Sequence, residues 1–234
     1  MTAKDIADEL NALENPADAA FLQRFFKTGK GQYGEGDVFI GLRVPQTRVI
    51  AKKYRDLPLL EIEKLLDSPI HEHRLCAVII MTERAKRAKD QSEKKDLYEL
   101  YLRRKDRMNN WNIIDISCGH VVGGYLIDKP RDILYKLASS QIMWERRIAI
   151  ISTSRFIASG ELDDTFKLAE MLLGDSEDLI HKASGWMLRE AGKKDEVRLK
   201  SFLDKHAAVM PRTMLRYSLE KLHPADKAHY MAAK

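Results

Sequence analysis

One spacing recurs along this chain and restricts what it can fold into. Asp67-Ser68 is followed, seven residues after the aspartate, by Arg74 and then Ala77; Ser139-Ser140 leads in the same way to Arg146 and Ala149, and Asp175-Ser176 to Lys182 and Gly185. The starts at 67, 139 and 175 lie 72 and 36 residues apart, two periods and one. A further copy is expected to begin near 103 and to set its second helix near 110. A unit of about 36 residues has room for two helices but cannot bury its own apolar face, so it must stack on its neighbours.

The local signals agree with stacked helix pairs. Ile6, Leu10 and Leu13 mark a first amphipathic helix, and Asn15-Pro16 supplies the cap and first position of a second. From Pro45 onward the pattern predicts helices over 45–55, 58–67, 70–88, 91–107, 110–127, 130–139, 142–158, 161–173, 178–191, 195–206, 211–222 and 224–232. Pro45, Pro58, Pro130, Pro211 and Pro224 sit at helix starts, and Gly174 and Gly192 just past helix ends. The expected fold is all-α, a HEAT-like α-solenoid of antiparallel helix pairs in a single domain over 1–234. The exception is residues 29–37, where four glycines break any helix, followed by the β-prone Val38-Phe39-Ile40-Gly41-Leu42. A small β-hairpin is expected near 28–42.

Composition excludes several classes. Cys76 and Cys118 are the only cysteines, too few and too far apart for a disulfide framework or a Cys-type zinc site. No apolar run reaches the roughly 18 residues of a membrane span. The N-terminal helix lacks the basic and apolar regions of a signal peptide. The chain reads as a soluble, cytoplasmic monomer without cofactor or metal. A net charge of +5 permits a polyanionic partner. His71-x-His73 has no evident third ligand and reads as a capped helix surface. The Gly-rich stretch has no preceding strand and no Gly-Lys-Ser/Thr ending, so it is a poor phosphate loop. Basic runs at Arg84, Lys86, Arg87 and Lys89, and at Arg103, Arg104, Lys105 and Arg107, read as solvated faces. Trp144 is expected in the core.

The most informative stretch is Asn109-Asn110-Trp111-Asn112-Ile113-Ile114-Asp115. Its asparagines are good helix caps. Trp111 and Asp115 are four apart and share one helix face. A carboxylate among isoleucines must be paired, exposed on a concave face or shifted in pKa. Trp111, Asp115, Arg146, Arg147, Lys182 and Trp186 all fall on second helices of the repeat, which in solenoids line one surface.

Taken in order, Asn110-Trp111-Asn112-Ile113-Ile114-Asp115, Trp144-Glu145-Arg146-Arg147-Ile148-Ala149 and His181-Lys182-Ala183-Ser184-Gly185-Trp186-Met187-Leu188-Arg189-Glu190 resemble the AlkD family of DNA glycosylases. The resemblance runs from about residue 22 to 222. It implies excision of cationic N3- or N7-alkylated purines from duplex DNA, held through its backbone, with no cofactor. It implies a catalytic pair at Trp111 and Asp115, a second cleft tryptophan at Trp186, and DNA-binding basic residues at Arg147, Arg146, Lys182 and Arg189. Lys30 and Tyr33, on the expected hairpin, are further candidates for DNA contact. Asn110 and Asn112 replace the family's Trp and Asp beside Trp111, and Phe25 or Phe26 stands at the place of a cleft tyrosine. The Gly-rich insertion resembles a branch of the superfamily that binds branched DNA without excision. That is the alternative to catalysis. A protein-binding scaffold is a third reading, disfavoured by the aligned Trp111, Asp115 and Trp186.

Overall fold

A computed structural model describes residues 1–233. These fold into fifteen α-helices with no β-ladder among the described residues. The helices are α1 (Ala3–Asn11), α2 (Pro16–Phe25), α3 (Val44–Lys53), α4 (Leu59–Leu66), α5 (His71–Arg87), α6 (Gln91–Arg103), α7 (Trp111–Cys118), α8 (Asp132–Ala138), α9 (Met143–Ser152), α10 (Ser154–Ala158), α11 (Asp163–Met171), α12 (Asp178–Gly192), α13 (Glu196–His206), α14 (Arg212–Leu219) and α15 (Pro224–Ala232). The all-α expectation holds, and the expected boundaries fall close to the observed ones. Three long helices are interrupted. The span 91–107 ends at Arg103 and is followed by one 3-10 turn, Lys105–Arg107. The span 110–127 is α7 running into a wide π turn, Gly119–Gly123. The span 142–158 divides at Thr153, whose hydroxyl donates back to the Ile150 carbonyl at 2.7 Å and competes with the regular ladder.

The chain divides into two compact units, Met1–Tyr125 and Leu126–Lys234. In the first, α5 is the centre: twelve of its seventeen residues are buried, under α3, α4 and α7. In the second, α12 holds that place, packed against α9, α11, α13 and α14. The approach of α14 requires Gly185, because a Cβ there would stand 2.5 Å from the Met214 carbonyl oxygen and 2.6 Å from Tyr217 Cβ. The glycine of the Lys-x-x-Gly-Trp segment is therefore a packing residue.

The recurrent spacing has a structural cause. Arg74 Nη1 donates to the Ser68 carbonyl at 2.8 Å, and Arg146 Nη1 to the Ser140 carbonyl at 2.9 Å. In each case an arginine on the second helix of a pair closes the turn that leads into it. The third copy differs: Lys182 pairs with Asp178 at 2.8 Å, and Asp175, which opens that copy, receives Arg146 at 2.6 Å.

The hairpin expected near 28–42 is not formed. Residues 29–36 are turns, and Val38 makes a single parallel bridge to Ile70. The segment after it finds its partners in a side chain. The buried Glu72 carboxylate, on the first turn of α5, accepts from the backbone N–H groups of Ile40, Gly41 and Leu42 at 2.9–3.1 Å. With those donors satisfied, no second strand is needed. Gly41 sits at φ +92, and a Cβ there would meet the Asn15 carbonyl at 2.1 Å.

His71 and His73 are buried, contrary to the reading of His71-x-His73 as a helix surface. His73 lies between the Ser68 hydroxyl, 2.9 Å from Nδ1, and Asn11 Oδ1, 3.0 Å from Nε2. Burial, with a smaller contribution from the Arg74 charge, pushes its pKa down from 6.5 to about 4. The unfolded chain therefore takes up this proton first. The associated stability is complete above about pH 6.5 and is lost as pH falls toward 4. We expect the denaturation free energy to fall across that window with a slope approaching about 1.4 kcal/mol per pH unit. His73→Gln should flatten it in urea titrations; an unchanged slope would assign the proton elsewhere.

Candidate functional site

The site is built around α7 in the first unit. Trp111 and Asp115, one turn apart, are both half-buried. Trp111 packs on a small core cluster of Leu22, Phe26 and Phe39. Its ring centroid lies 5.2 Å from that of Phe26 and 6.1 Å from that of Phe25, the latter edge-on. Phe25 in turn stacks with Phe21 at 6.0 Å, and these two remain 52% and 43% exposed. Together these rings line a cavity of about 440 Å³ whose wall also includes Asn112, Asp115 and Ile116 from α7. Helix α2 thus supplies the aromatic wall and α7 the polar floor.

The start of α7 is fixed by a buried ionic network that the sequence reading missed. Asp37, the last residue of the Gly-rich stretch, is fully enclosed. Its carboxylate accepts from His71 Nδ1 at 2.7 Å, from Arg74, and from Asn110 Nδ2 at 3.4 Å. Burial raises the Asp37 pKa, but the hydrogen bonds from His71 and Arg74 and the Arg74 charge outweigh it and hold the carboxyl below its usual 3.8. Arg74 also donates to Asn109 Oδ1 at 3.1 Å. Asn110 occupies the cap position of α7, yet its side chain makes no capping bond. The two asparagines, expected as caps, tie α7 to α5 and the Gly-rich loop instead.

His71 carries the network toward the cavity. Its ring stacks on Phe39 at 4.3 Å, and its Nε2 lies 2.9 Å from Asn112 Nδ2. Donation from Nδ1 to Asp37 leaves Nε2 to accept that amide. Asn112 is 8% exposed, and its carboxamide oxygen has no hydrogen-bond partner.

Tyr33 turns inward. Its hydroxyl accepts from Trp111 Nε1 at 3.3 Å and donates to the Phe25 carbonyl at 3.4 Å. The hydroxyl absent from Phe25 and Phe26 is thus supplied from the Gly-rich loop. Lys30, on the same loop, is exposed.

The second-unit candidates are already partnered. Arg146 grips Asp175 through two nitrogens, at 2.6 and 3.1 Å. Arg147 is 5% exposed and donates to the Leu179 carbonyl at 2.5 Å. Arg189 pairs with Glu190 at 3.0 Å and with Glu220. Trp186 is half-buried on α12, and Trp144, expected in the core, is half-buried on α9. The basic run at 103–107 is not an ordinary solvated face: Arg103 and Arg104 pair with Glu63, and Arg107 donates to the Leu66, Asp67 and Ser68 carbonyls.

A second basic surface lies in the first unit, unpredicted as a site. Arg48, Lys52, Arg55, Glu83 and Arg87 line a groove of about 330 Å³ between α3 and α5. Leu75, Ile79, Glu83 and Arg87 are spaced by four and share one face of α5. Leu75 lines the aromatic cavity and the other three line this groove. Among the described residues Arg48 and Lys52 enter no ion pair. The signal was present as a cationic spacing at 48, 52 and 55, but spacing alone does not distinguish a groove from a solvated face.

The sequence model of a family described as DNA alkylation repair enzyme matches residues 6–222. No protein of curated function matches the chain. Among solved structures, a predicted DNA alkylation repair enzyme from Enterococcus faecalis superposes with a TM-score of 0.67 at 19% identity, over 90% of this chain and 97% of that one. No described helix is long and apolar enough to cross a membrane.

Proposed function

The chain belongs to the DNA alkylation repair enzyme family, and from that premise we propose that it is a DNA glycosylase that hydrolyses the N-glycosidic bond of N3- and N7-alkylated purines. The observation that carries the reading is the pair on α7. An indole and a carboxylate one turn apart line one aromatic cavity, in a chain of a DNA repair family.

An N3- or N7-alkylated purine already carries a positive charge. As the bond from C1′ to the base nitrogen breaks, its electron pair goes to the base and neutralises it, while positive charge develops on the deoxyribose. The Asp115 carboxylate stabilises that charge and orients water, whose oxygen bonds C1′ as its proton passes to the carboxylate or solvent. Trp111 offers its π face to the same cation. Trp186, in the second unit, is proposed to contact the DNA. The chemistry requires no metal. Abasic-site formation in duplex DNA carrying one N7-methylguanine tests the reading. If no cationic lesion is excised, the surface belongs to a protein that binds branched or distorted DNA without cutting it.

DNA is proposed to bind through its phosphates, at the groove of Arg48, Lys52, Arg55 and Arg87 and at Lys182, Arg189 and Lys30. Within the second unit, Arg146 and Arg147 hold their helix in place through an ion pair to Asp175 and a backbone bond to Leu179. Phosphate binding releases counterions, so affinity should fall steeply with salt. Arg48→Ala, Lys52→Ala and Lys182→Ala should each weaken binding to all sequences alike and reduce the log–log salt slope by about 0.9. A variant with unchanged affinity and slope would remove that residue from the interface.

A further inference from the structure

We propose that the basic groove between α3 and α5 holds the backbone of the lesion-bearing strand itself, on one flank of the lesion, as the continuation of the site at Trp111 and Asp115. The inference rests on the glycosylase reading above for the place of the lesion. It adds which strand lies in the groove and in which register.

Two rows of side chains within the first unit build this track. On α3, Thr47, Ile50 and Ala51 are buried. Val44, Arg48 and Lys52 are four apart on an adjacent face, and Arg55 follows just past the helix end. Val44 lines the aromatic cavity, while Arg48, Lys52 and Arg55 line the groove. The row on α5 runs the same way, with Leu75 at the cavity and Ile79, Glu83 and Arg87 at the groove. Both rows pass from cavity to groove in chain direction, so the two hollows meet end to end along the same pair of helices. Trp111 and Asp115 stand at the cavity end. Its rim carries a cation as well. Arg43, one residue before Val44, lines the cavity, pairs with Asp18 and lies over the Phe21 ring, 5.1 Å from its centroid.

The charges suit a chain of phosphates. Arg48 and Lys52 are exposed and enter no ion pair among the described residues. Four residues of helix advance about 6 Å, and one strand of a duplex advances roughly 3.4 Å per nucleotide. The two cations therefore fall on phosphates no more than about two nucleotides apart. Glu83 is the one acid lining the groove, and it pairs with Lys86 at 2.9 Å. Its carboxylate, on the α5 side, repels phosphate and so places the strand along α3. A phosphodiester chain is covalently continuous, so the strand whose sugar sits at the cavity end enters the groove directly. The complementary backbone is separated from it by a duplex groove at least about 6 Å wide.

The test uses duplexes carrying one N7-methylguanine and a single uncharged methylphosphonate linkage, moved one position at a time along both strands. Affinity and single-turnover excision at subsaturating protein are read for wild type, Arg48→Ala and Lys52→Ala. Both side chains are exposed, so their truncation should leave thermal unfolding unaltered. In wild type, neutralising a contacted phosphate should weaken binding roughly three- to fivefold, the scale of one exposed ion pair. The linkage that Arg48 meets should have no further effect in Arg48→Ala, and likewise for Lys52, because one interaction cannot be lost twice. The two coupled linkages should lie in the lesion-bearing strand, on one flank, within about five nucleotides of the lesion, roughly half a helical turn. Glu83→Gln should tighten binding to every duplex about threefold, by removing a repulsive charge from the groove. Coupled linkages in the complementary strand, or none in either strand, overturn the proposal; excision by wild type in the same assay leaves the glycosylase reading standing. Coupling on one flank of the lesion-bearing strand without excision supports the track and overturns the glycosylase reading.

Discussion

Asp115→Asn should lower single-turnover excision of N7-methylguanine by roughly 10²–10³ while leaving DNA affinity nearly intact. The magnitude is that of one lost preorganised electrostatic partner, about 2.7–4 kcal/mol. The two measurements must be made together. A carboxylate that acts only on charge developing in the transition state lowers the rate without weakening the ground-state complex. Asp115 lies on a helix that begins at a tightly held point, with Asn110 bonded to Asp37 and Asn109 to Arg74. The substitution is isosteric and removes charge rather than shape. Equal rates for wild type and variant would take Asp115 out of the reaction. A matched loss of rate and affinity would make it a binding group. Substrates should be restricted to cationic lesions, because no group proposed for the site protonates a neutral leaving base.

Asp37→Ala should destabilise the first unit by about 3–5 kcal/mol, the usual cost of removing one partner from a buried ion pair. Arg74 is 2% exposed and His71 1%. Without the carboxylate, the guanidinium loses its counter-ion in a place water does not reach. Against a typical total stability of roughly 5–15 kcal/mol, that is a large fraction. Asp37→Asn should fall between wild type and Asp37→Ala, since an amide keeps hydrogen-bonding capacity without the charge. The wild-type contribution is present above about pH 3.8 and is lost as pH falls through the lower folded-state value, so acid should mimic the substitution. Urea denaturation of the three proteins at neutral pH measures the effect; Asp37→Ala as stable as wild type would refute it. Because the same carboxylate holds the start of α7, Asp37→Ala should also slow excision under conditions where it remains folded.

These two expectations differ in how far they could be read from the chain. Trp111 and Asp115 form a local pair. Four residues on a helix bring them to one face, and the capping signals at Asn109 and Asn110 mark where that helix starts. The helices were legible for the same reason: apolar residues recur at helical spacing, and prolines mark helix starts. The all-α fold, most helix boundaries and the pairing of Trp111 with Asp115 were therefore determined by the sequence alone.

What the sequence could not determine depended on where side chains met across long separations. Asp37 meets His71 and Arg74 at separations of 34 and 37 residues, and Asn110 at 73. Glu72 satisfies three backbone donors more than 29 residues earlier, and that replaced the expected hairpin. Tyr33 reaches Trp111 across 78 residues, so a loop expected to touch DNA supplies the tryptophan's hydrogen-bond acceptor. The repeat arginines illustrate the limit most clearly. Periodicity located Arg74 and Arg146 on second helices but could not say whether their guanidinium groups faced a partner or solvent. Tertiary packing decided that by placing Asp37 beside one and Asp175 beside the other. A charge's role depends on whether an opposite charge is within hydrogen-bonding distance, and that distance is set by the packing of helices that periodicity identifies but does not orient.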